Sequence, residues 1–378
     1  MNKKKICFIT AVQGSAYSFL RDHMAALQRE YKVYYVCNEP DVQNIKVPHD
    51  GYQCVNIQRK ISLTKDLKAL WQLYVYFRRE KFNAVHSVTP KAGLLTSIAA
   101  FFARIPVRTH IYTGQVWANK TGFMKFLLKT MDRLIALFDN HILVDGEGQR
   151  QFLIRSKILS EKNSKVLGSG SICGVNLERF NPSDDVRSAK RKELGIKDSQ
   201  TVFVFMGRLT RDKGVYELLS AFDCIASNRD DVFLLMFGND EEEVVDSFPN
   251  YRNLRNRINF LYYGRTSEPY NMLQSADIFV LPTYREGFGS SVIEASALRL
   301  PVICSDAYGV MDAMVDGLTG LRCKVGDVES LYHAMMILAN DRCLRLSMGE
   351  AGRNRVIKEF DGSVVTNNWL EFYSEILN

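Results

Sequence analysis

The stretch DIFVLPTYREGFGSSVIEASA, Asp277–Ala297, decides the fold. Its apolar run Ile278–Leu281 has the pattern of a short strand buried on both faces of a sheet. Gly287 and Gly289 then form a turn in which backbone can approach a ligand closely. A helix opens near Ser290, and its free N–H groups and positive dipole end suit an anion. Glu286 and Glu294 stand eight residues apart on either side of that turn. The glycines disfavour one continuous helix, so the two carboxylates flank a helix start. A strand that passes through a glycine turn into a helix is half of a βαβ unit.

Outward from this stretch the same alternation fills the chain. KICFIT, KVYYVC, NAVHSV, VRTHIYT and HILVDG read as strands of a first half. SFLRDHMAALQRE, DLKALWQLYVYFRRE, KAGLLTSIAAFFAR and MKFLLKTMDRLIALF read as the helices between them, with GQRQFLIR a short helix after HILVDG. Residues 169–185, rich in Gly, Ser, Asn and Asp, read as an interdomain connection. The pattern then restarts. TVFVFMG, VFLLMFG, INFLYYG, DIFVLPT and PVICSD are strands; GVYELLSAFDCIAS, EPYNMLQSA, SSVIEASAL, GVMDAMVDG and SLYHAMMILAN are helices. The expected fold is α/β, with two doubly wound, Rossmann-like domains in series, 1–175 and 176–360. A last helix, 361–378, has an apolar side expected to pack back on the first domain. In such sheets ligands bind at the carboxyl ends of strands, and the cleft between two facing sheets is the default site.

Bulk properties narrow the class. The chain has 378 residues, 46% of them apolar, which is enough for two cores and argues against disorder. No run approaches the ~20 apolar residues of a membrane span. The start, MNKKKICFIT, imitates a signal peptide, but its apolar run is short and β-rich, so a cytoplasmic chain is expected. Eight cysteines without a C-x-x-C pattern read as reduced thiols. Charge is uneven: residues 1–185 hold 27 Lys and Arg against 15 Asp and Glu, the remainder 22 against 27. A basic first half suits an anionic partner.

A second stretch bears on chemistry. In FVFMGRLTRDKGVYELLSAF, Phe203–Phe222, a strand ends at Gly207 and places Arg208 and Lys213 on the loop before a helix. Two cations at a strand's carboxyl end suit a diphosphate, the Arg as a fork and the Lys as a point charge. No G-x-x-x-x-G-K-[ST] and no G-x-G-x-x-G occurs. Two cations, a helix start and two diol-seeking carboxylates fit a nucleotide diphosphate sugar better than a dinucleotide.

GRLTRDKG followed by EGFGSSVIEA resembles the family 4 retaining glycosyltransferases of GT-B fold, with Glu286 and Glu294 matching the family's E-x7-E motif. SVTPKAGLLTSIAAFFARIPVRTH and YTGQVWANKTGFMKFLLKTMDRLIALF resemble the branch that builds bacterial capsule, O-antigen and lipid-linked oligosaccharides. The resemblance implies that Arg208 and Lys213 hold the donor diphosphate and that Glu294 takes the ribose hydroxyls. Glu286 would bond the transferred sugar, assisted by backbone N–H groups from Phe288 to Ser290, with Gly287 and Gly289 letting the backbone approach the donor. Gly14 would leave room for donor phosphate, and Arg265 falls where the base is contacted. It implies retention by front-face attack, with no metal and no cofactor beyond the UDP-sugar substrate. His110, in preference to His86, is the candidate first-domain catalytic histidine, both being expected at strand ends. The chain departs from the family pattern in having Gly14 alone after the first strand and Asn176 where an aspartate is usual.

For the acceptor, Lys91 is expected on a loop facing the cleft, with Tyr17 a further contact. The helix from Thr121 to Phe138 carries Lys125, Lys129 and Arg133 beside Phe123, Phe126 and Leu134, a pattern suited to an anionic membrane surface. The expected partners are therefore a UDP-sugar, a lipid-linked glycan and the inner face of a membrane, with no nucleic acid. The expected reaction is transfer of an N-acetylhexosamine. The alternatives are a UDP-sugar epimerase and a non-catalytic nucleotide-sugar-binding partner.

Overall fold

The computed structural model describes residues 3–58, 62–248 and 259–377. The apolar runs form two sheets, and every pairing within them is parallel. The first contains β1 (Lys5–Ile9), β2 (Lys32–Cys37), β3 (Gly51–Cys54), β4 (Ala84–Val88), β5 (Val107–Tyr112), β6 (His141–Val144) and β7 (Ser164–Lys165), in the order 3-2-1-4-5-6-7. Helices α1 (Gln13–Phe19), α2 (Arg21–Leu27), α3 (Leu63–Glu80), α4 (Pro90–Phe102), α5 (Gly122–Phe138) and α6 (Glu147–Arg155) accompany it.

The second sheet contains β8 (Thr201–Met206), β9 (Val232–Phe237), β10 (Phe260–Gly264), β11 (Ile278–Leu281), β12 (Val302–Ser305) and β13 (Gly320–Cys323), in the order 10-9-8-11-12-13. Its principal helices are α7 (Asp184–Glu193), α8 (Val215–Ala226), α9 (Pro269–Gln274), α10 (Ser290–Ala297), α11 (Val328–Asn340) and α12 (Arg342–Arg355). The chain divides into two compact units, Met1–Cys173 with Gly362–Asn378, and Gly174–Asp361.

Both sheets are doubly wound, and this positions the site. The strand order changes direction between β1 and β4 in the first and between β8 and β11 in the second. There the flanking helices leave to opposite faces, and a crevice opens at the carboxyl ends of the two strands. Phe8, Val85, Phe203 and Phe279 are fully buried, as strands covered on both faces require.

The last helix, α13 (Gly362–Leu377), belongs to the first unit. It buries Trp369, Phe372 and Tyr373 among Phe8, Leu20, Met24 and Val33. His23 and His86 each stack on the Trp369 ring, at centroid distances of 4.7 and 4.9 Å. His23 Nδ1 lies 2.9 Å from Thr366 Oγ1, and His86 Nδ1 lies 2.8 Å from the Tyr373 hydroxyl. Burial holds both imidazoles neutral, lowering His23 to about 4 and His86 well below its ordinary value.

Three features differ from the sequence reading. SFLRDHMAALQRE is not one helix, because α1 starts earlier and gives way to α2 at Leu20. GVMDAMVDG forms turns, with Gly309 and Gly317 at positive φ, where a helix cannot continue. The short edge strands β3, β7 and β13 and the charged helices α7 and α12 carry too weak an apolar signal to be read from sequence. Ile258 and Asn378, at the ends of an expected strand and an expected helix, lie outside the described residues.

Candidate active site

The loops after β8 and β11 leave neighbouring strands and are laced together. The Tyr284 N–H donates to the Asp212 carbonyl at 2.8 Å, and the Thr283 hydroxyl donates to the same oxygen at 3.0 Å. Arg285 Nη2 lies 2.7 Å from Asp212 Oδ2. Burial pushes the Asp212 carboxyl up, but the Thr210 hydroxyl and the charges of Arg285, Lys213 and Arg208 outweigh it and hold the group below its usual value. The loop that carries the expected cations is thus anchored by an ionised aspartate.

Lys213 Nζ forms an ion pair with Glu286, and both side chains are only 16% exposed. Charges so screened from water interact more strongly than a surface pair. Arg208 pairs with Glu241 at 2.9 Å, but its side chain is 52% exposed, so that pair is weak. One cation is therefore fixed in place and the other is free to turn.

Gly289, at φ +84, ends the glycine turn as the N-cap of α10, and no side chain caps the helix. Its first N–H groups remain available to an anion. Phe288 is buried against Phe360, with ring centroids 5.2 Å apart, so the turn can offer a ligand the Phe288 backbone only. Gly309 packs under the same turn. A side chain there would meet the carbonyl oxygens of Glu286 and Gly287 at 2.5 Å. Glu294 lies in the second turn of α10, and Cβ direction in a helix aims it back toward the N-terminus. Among the described residues its carboxylate has no hydrogen-bond or ion-pair partner. Burial raises its pKa to about 7. A carboxylate without a donor is a ready acceptor for hydroxyls. Arg265 follows β10 and is exposed.

In the first unit two expectations are corrected. His110 is not at a strand end: it lies within β5, is 1% exposed and sits 2.8 Å from the Ser87 hydroxyl through Nδ1. Gly93 of α4 lies so close that a side chain there would strike the imidazole at 2.5 Å. Burial lowers His110 to about 3, so it is a neutral core residue. His86 is likewise internal to β4. Lys91 is not on a loop but in the first turn of α4, where its Nζ lies 2.7 Å from Asp66 Oδ1. Gly14, the second residue of α1, stands in open surroundings, and Tyr17, 40% exposed on the same helix, lies under the Arg21 guanidinium.

Sequence reading missed Asp212, Arg285 and Gly309. Opposite charges in the two quoted loops were the available signal for the first pair. It also missed Thr89, at the carboxyl end of β4, which adopts φ +77 with a buried, unpartnered hydroxyl. A β-branched residue in that region is strained, as occurs at functional sites.

The helical face of the first unit is unusually apolar. Of the 17 residues of α5, only Asp132 and Ile135 are buried. Phe123, Phe126 and Leu137 are 75, 62 and 72% exposed, beside Lys125, Lys129 and Arg133. On α3, Leu63, Leu67, Trp71 and Val75 form an exposed row at four-residue spacing. α3 packs on α4 and α4 on α5. No helix among the described residues is long and apolar enough to cross a membrane.

Residues 186–355, which contain Arg208, Lys213, Glu286 and Glu294, match the family model of glycosyl transferases group 1. Over 377 residues the chain is 30% identical to the capsular polysaccharide biosynthesis glycosyltransferase CapM of Staphylococcus aureus, covering 100% of this chain and 98% of that one. The chain belongs to the group 1 glycosyl transferases. This group 1 glycosyl transferase is also 29% identical, over 310 residues, to the UDP-Gal:alpha-D-GlcNAc-diphosphoundecaprenol alpha-1,3-galactosyltransferase of Escherichia coli, covering 80% and 78% of the two chains. Among solved structures, Anabaena Alr3699/HepE in complex with UDP and glucose matches with a TM-score of 0.82 and 16% identity, over 98% of this chain and 100% of that one. That likeness shows the fold of this glycosyl transferase, which is GT-B.

Proposed function

We propose that this glycosyltransferase moves a sugar from a UDP-sugar to a polyprenyl-diphosphate-linked or growing surface-polysaccharide acceptor, with retention and without a metal. The observation that carries the reading is the grouping at the β8/β11 switch point. The Lys213–Glu286 pair, the uncapped start of α10 and the unpartnered Glu294 belong to adjoining loops and one helix.

The proposed division of labour follows the chemistry of each group. Lys213 and Arg208 hold the diphosphate, whose charge competes with Glu286 for the Lys213 ammonium. Glu286, so released, accepts from the sugar hydroxyls, with N–H groups from Phe288 to Ser290 alongside. Glu294 accepts from the ribose diol, and Arg265 lies near the base. In the first unit Gly14 leaves room for phosphate, and Tyr17 offers a ring to the glycan. The acceptor oxygen bonds to the sugar's anomeric carbon on the face from which the phosphate oxygen leaves. The acceptor proton passes to that departing oxygen, and Arg208 and Lys213 offset the charge that develops there. Retention and metal independence rest on the resemblance of the two motifs.

Two features support a lipid-linked acceptor: the name of the Escherichia coli relative, and the apolar, basic helical face. That face suits an anionic membrane surface at which such an acceptor would reside. The donor expected from sequence is a UDP-N-acetylhexosamine, and the same relative makes UDP-Gal the competing choice.

A donor screen tests the proposal by following UDP release with and without an undecaprenyl-diphosphate-linked glycan. Acceptor-dependent release from one UDP-sugar, with the sugar recovered on the lipid, is the expected result. Isomerised UDP-sugar without acceptor, or no release from any UDP-sugar, would overturn it.

A further inference from the structure

We infer that the second unit carries, at the amino end of its sheet, a separate cavity that binds a phosphate-bearing small molecule. The cavity has a volume of about 600 Å³ and is lined by the starts of α7 and α12 and by Thr201, Asp277 and Pro301. Those three residues stand at the amino ends of β8, β11 and β12. Arg208, Lys213 and Glu286 follow the carboxyl ends of the same sheet. With strands of this length, ~13–20 Å of sheet separates the two places.

The lining has an excess of positive charge. Arg187, Arg191, Arg299, Arg342 and Arg345 stand against Asp184, Asp198 and Asp277. Arg187 and Arg191, one turn apart on α7, share the Asp277 carboxylate at 2.7 and 2.9 Å. Asp277 also accepts from the Val202 N–H at 2.8 Å, so it has little capacity left for a further cation. Arg345 donates to two uncharged carbonyl oxygens, of Leu338 at 2.5 Å and Ala339 at 2.9 Å. Arg342 has no hydrogen-bond or ion-pair partner among the described residues. Arg299 meets Glu350 at 2.9 Å, but both side chains are half exposed. Burial, and then the nearby charges of Arg342 and Arg187, hold the Arg345 guanidinium below its usual value despite Asp277 and Asp341.

Like charges gathered at a part-enclosed polar cavity favour an anion among them. Glu350, paired with Arg299, makes four carboxylates against the five guanidiniums, and the two guanidiniums without a carboxylate partner among the described residues are Arg342 and Arg345. A phosphate monoester supplies about −1.5 to −2 at neutral pH. Its oxygens match the guanidinium fork, which an ammonium would not. The volume leaves room for a sugar or nucleoside body beside the phosphate. Leu298, Leu300 and Leu346 supply an apolar wall for it.

Calorimetric titration of the full chain with glucose 1-phosphate, at constant ionic strength, tests the assignment. Wild type and Lys213→Ala should both bind saturably, and Arg299→Ala/Arg342→Ala should bind at least about tenfold more weakly. Arg299 and Arg342 are exposed, so the double variant should keep the wild-type circular dichroism spectrum. Should it not, Arg342→Gln alone must weaken binding. The proposal is overturned by absence of saturable binding, or by an equal response to chloride. It is also overturned if Lys213→Ala removes the binding while the arginine variant retains it. A response to polyglutamate but not to glucose 1-phosphate would assign the cavity to an acidic protein segment and overturn it too.

Discussion

Glu294 is held in a conflict that a ligand would resolve. Its pKa is raised by burial to about 7, from an ordinary value of about 4.5. A carboxyl whose folded pKa lies above its unfolded value stabilises the fold below the unfolded pKa and loses that contribution as pH rises through the folded one. Glu294→Gln should therefore stabilise the protein by about 1–3 kcal/mol at pH 8 and by little at pH 5, read from urea midpoints at the two values. An equal effect at both would contradict the burial argument. The same substitution should weaken UDP binding, so stability and function should move in opposite directions. The Glu286–Glu294 spacing was legible in the sequence, because the glycines between them mark a turn. The desolvation of the half-buried Glu294 was not, since it depends on contacts that sequence spacing does not describe. Nor was the Lys213–Glu286 pair, whose members stand 73 residues apart. His110 was misplaced because a strand interior and a strand end look alike in a single apolar run. The Asp66 that occupies Lys91 lies on another helix and leaves no local trace.

Among elements, α13 and α5 show what a helical pattern does and does not reveal. The apolar side of α13 was plain in Trp369, Phe372 and Tyr373, and the structure packs those residues into the first unit. Trp369→Ala should cost about 3–5 kcal/mol, measured by denaturant unfolding. His23 and His86 add a pH term of the opposite sense to that of Glu294. Their folded pKa values are depressed, so their contribution is present above the unfolded value of about 6.5 and lost as pH falls toward the folded one. His23→Gln should flatten the fall in stability between pH 7 and pH 5, and an unchanged slope would contradict this. In α5 the spacing showed an amphipathic helix but not how few of its residues are buried. That depends on how closely neighbouring chain covers it. Phe123→Ser/Phe126→Ser should lower binding to anionic liposomes by at least about tenfold, measured by flotation, because each lost phenylalanine removes about 1.5–3 kcal/mol of apolar transfer. Undiminished flotation would move the membrane contact elsewhere. The exposed row on α3 escaped sequence reading for the same reason, and its edge strands escaped through brevity.

At the scale of the whole molecule, two sheets with one winding rule account for most of what the sequence made legible. Continuous apolar runs alternating with helices specify parallel strands, and the strand-order reversals then place the functional loops. Arg208 and Lys213 follow β8, Glu286 follows the neighbouring β11, and Glu294 lies on the helix that this second loop opens, so strand adjacency puts both loops at one end of the sheet. The identity of the donor sugar, the linkage position and the acceptor's glycan were not legible, because they depend on the shapes of loops that no periodicity describes. The central claim is that this constellation holds the nucleotide sugar and performs the transfer. The measurement that bears on it most directly is acceptor-dependent UDP release by Lys213→Ala and Glu294→Ala, each checked for wild-type circular dichroism. Both folded variants should fall by at least about 100-fold in turnover, as removal of a charge-stabilising group from an active site does. Near-wild-type turnover in either would contradict the account.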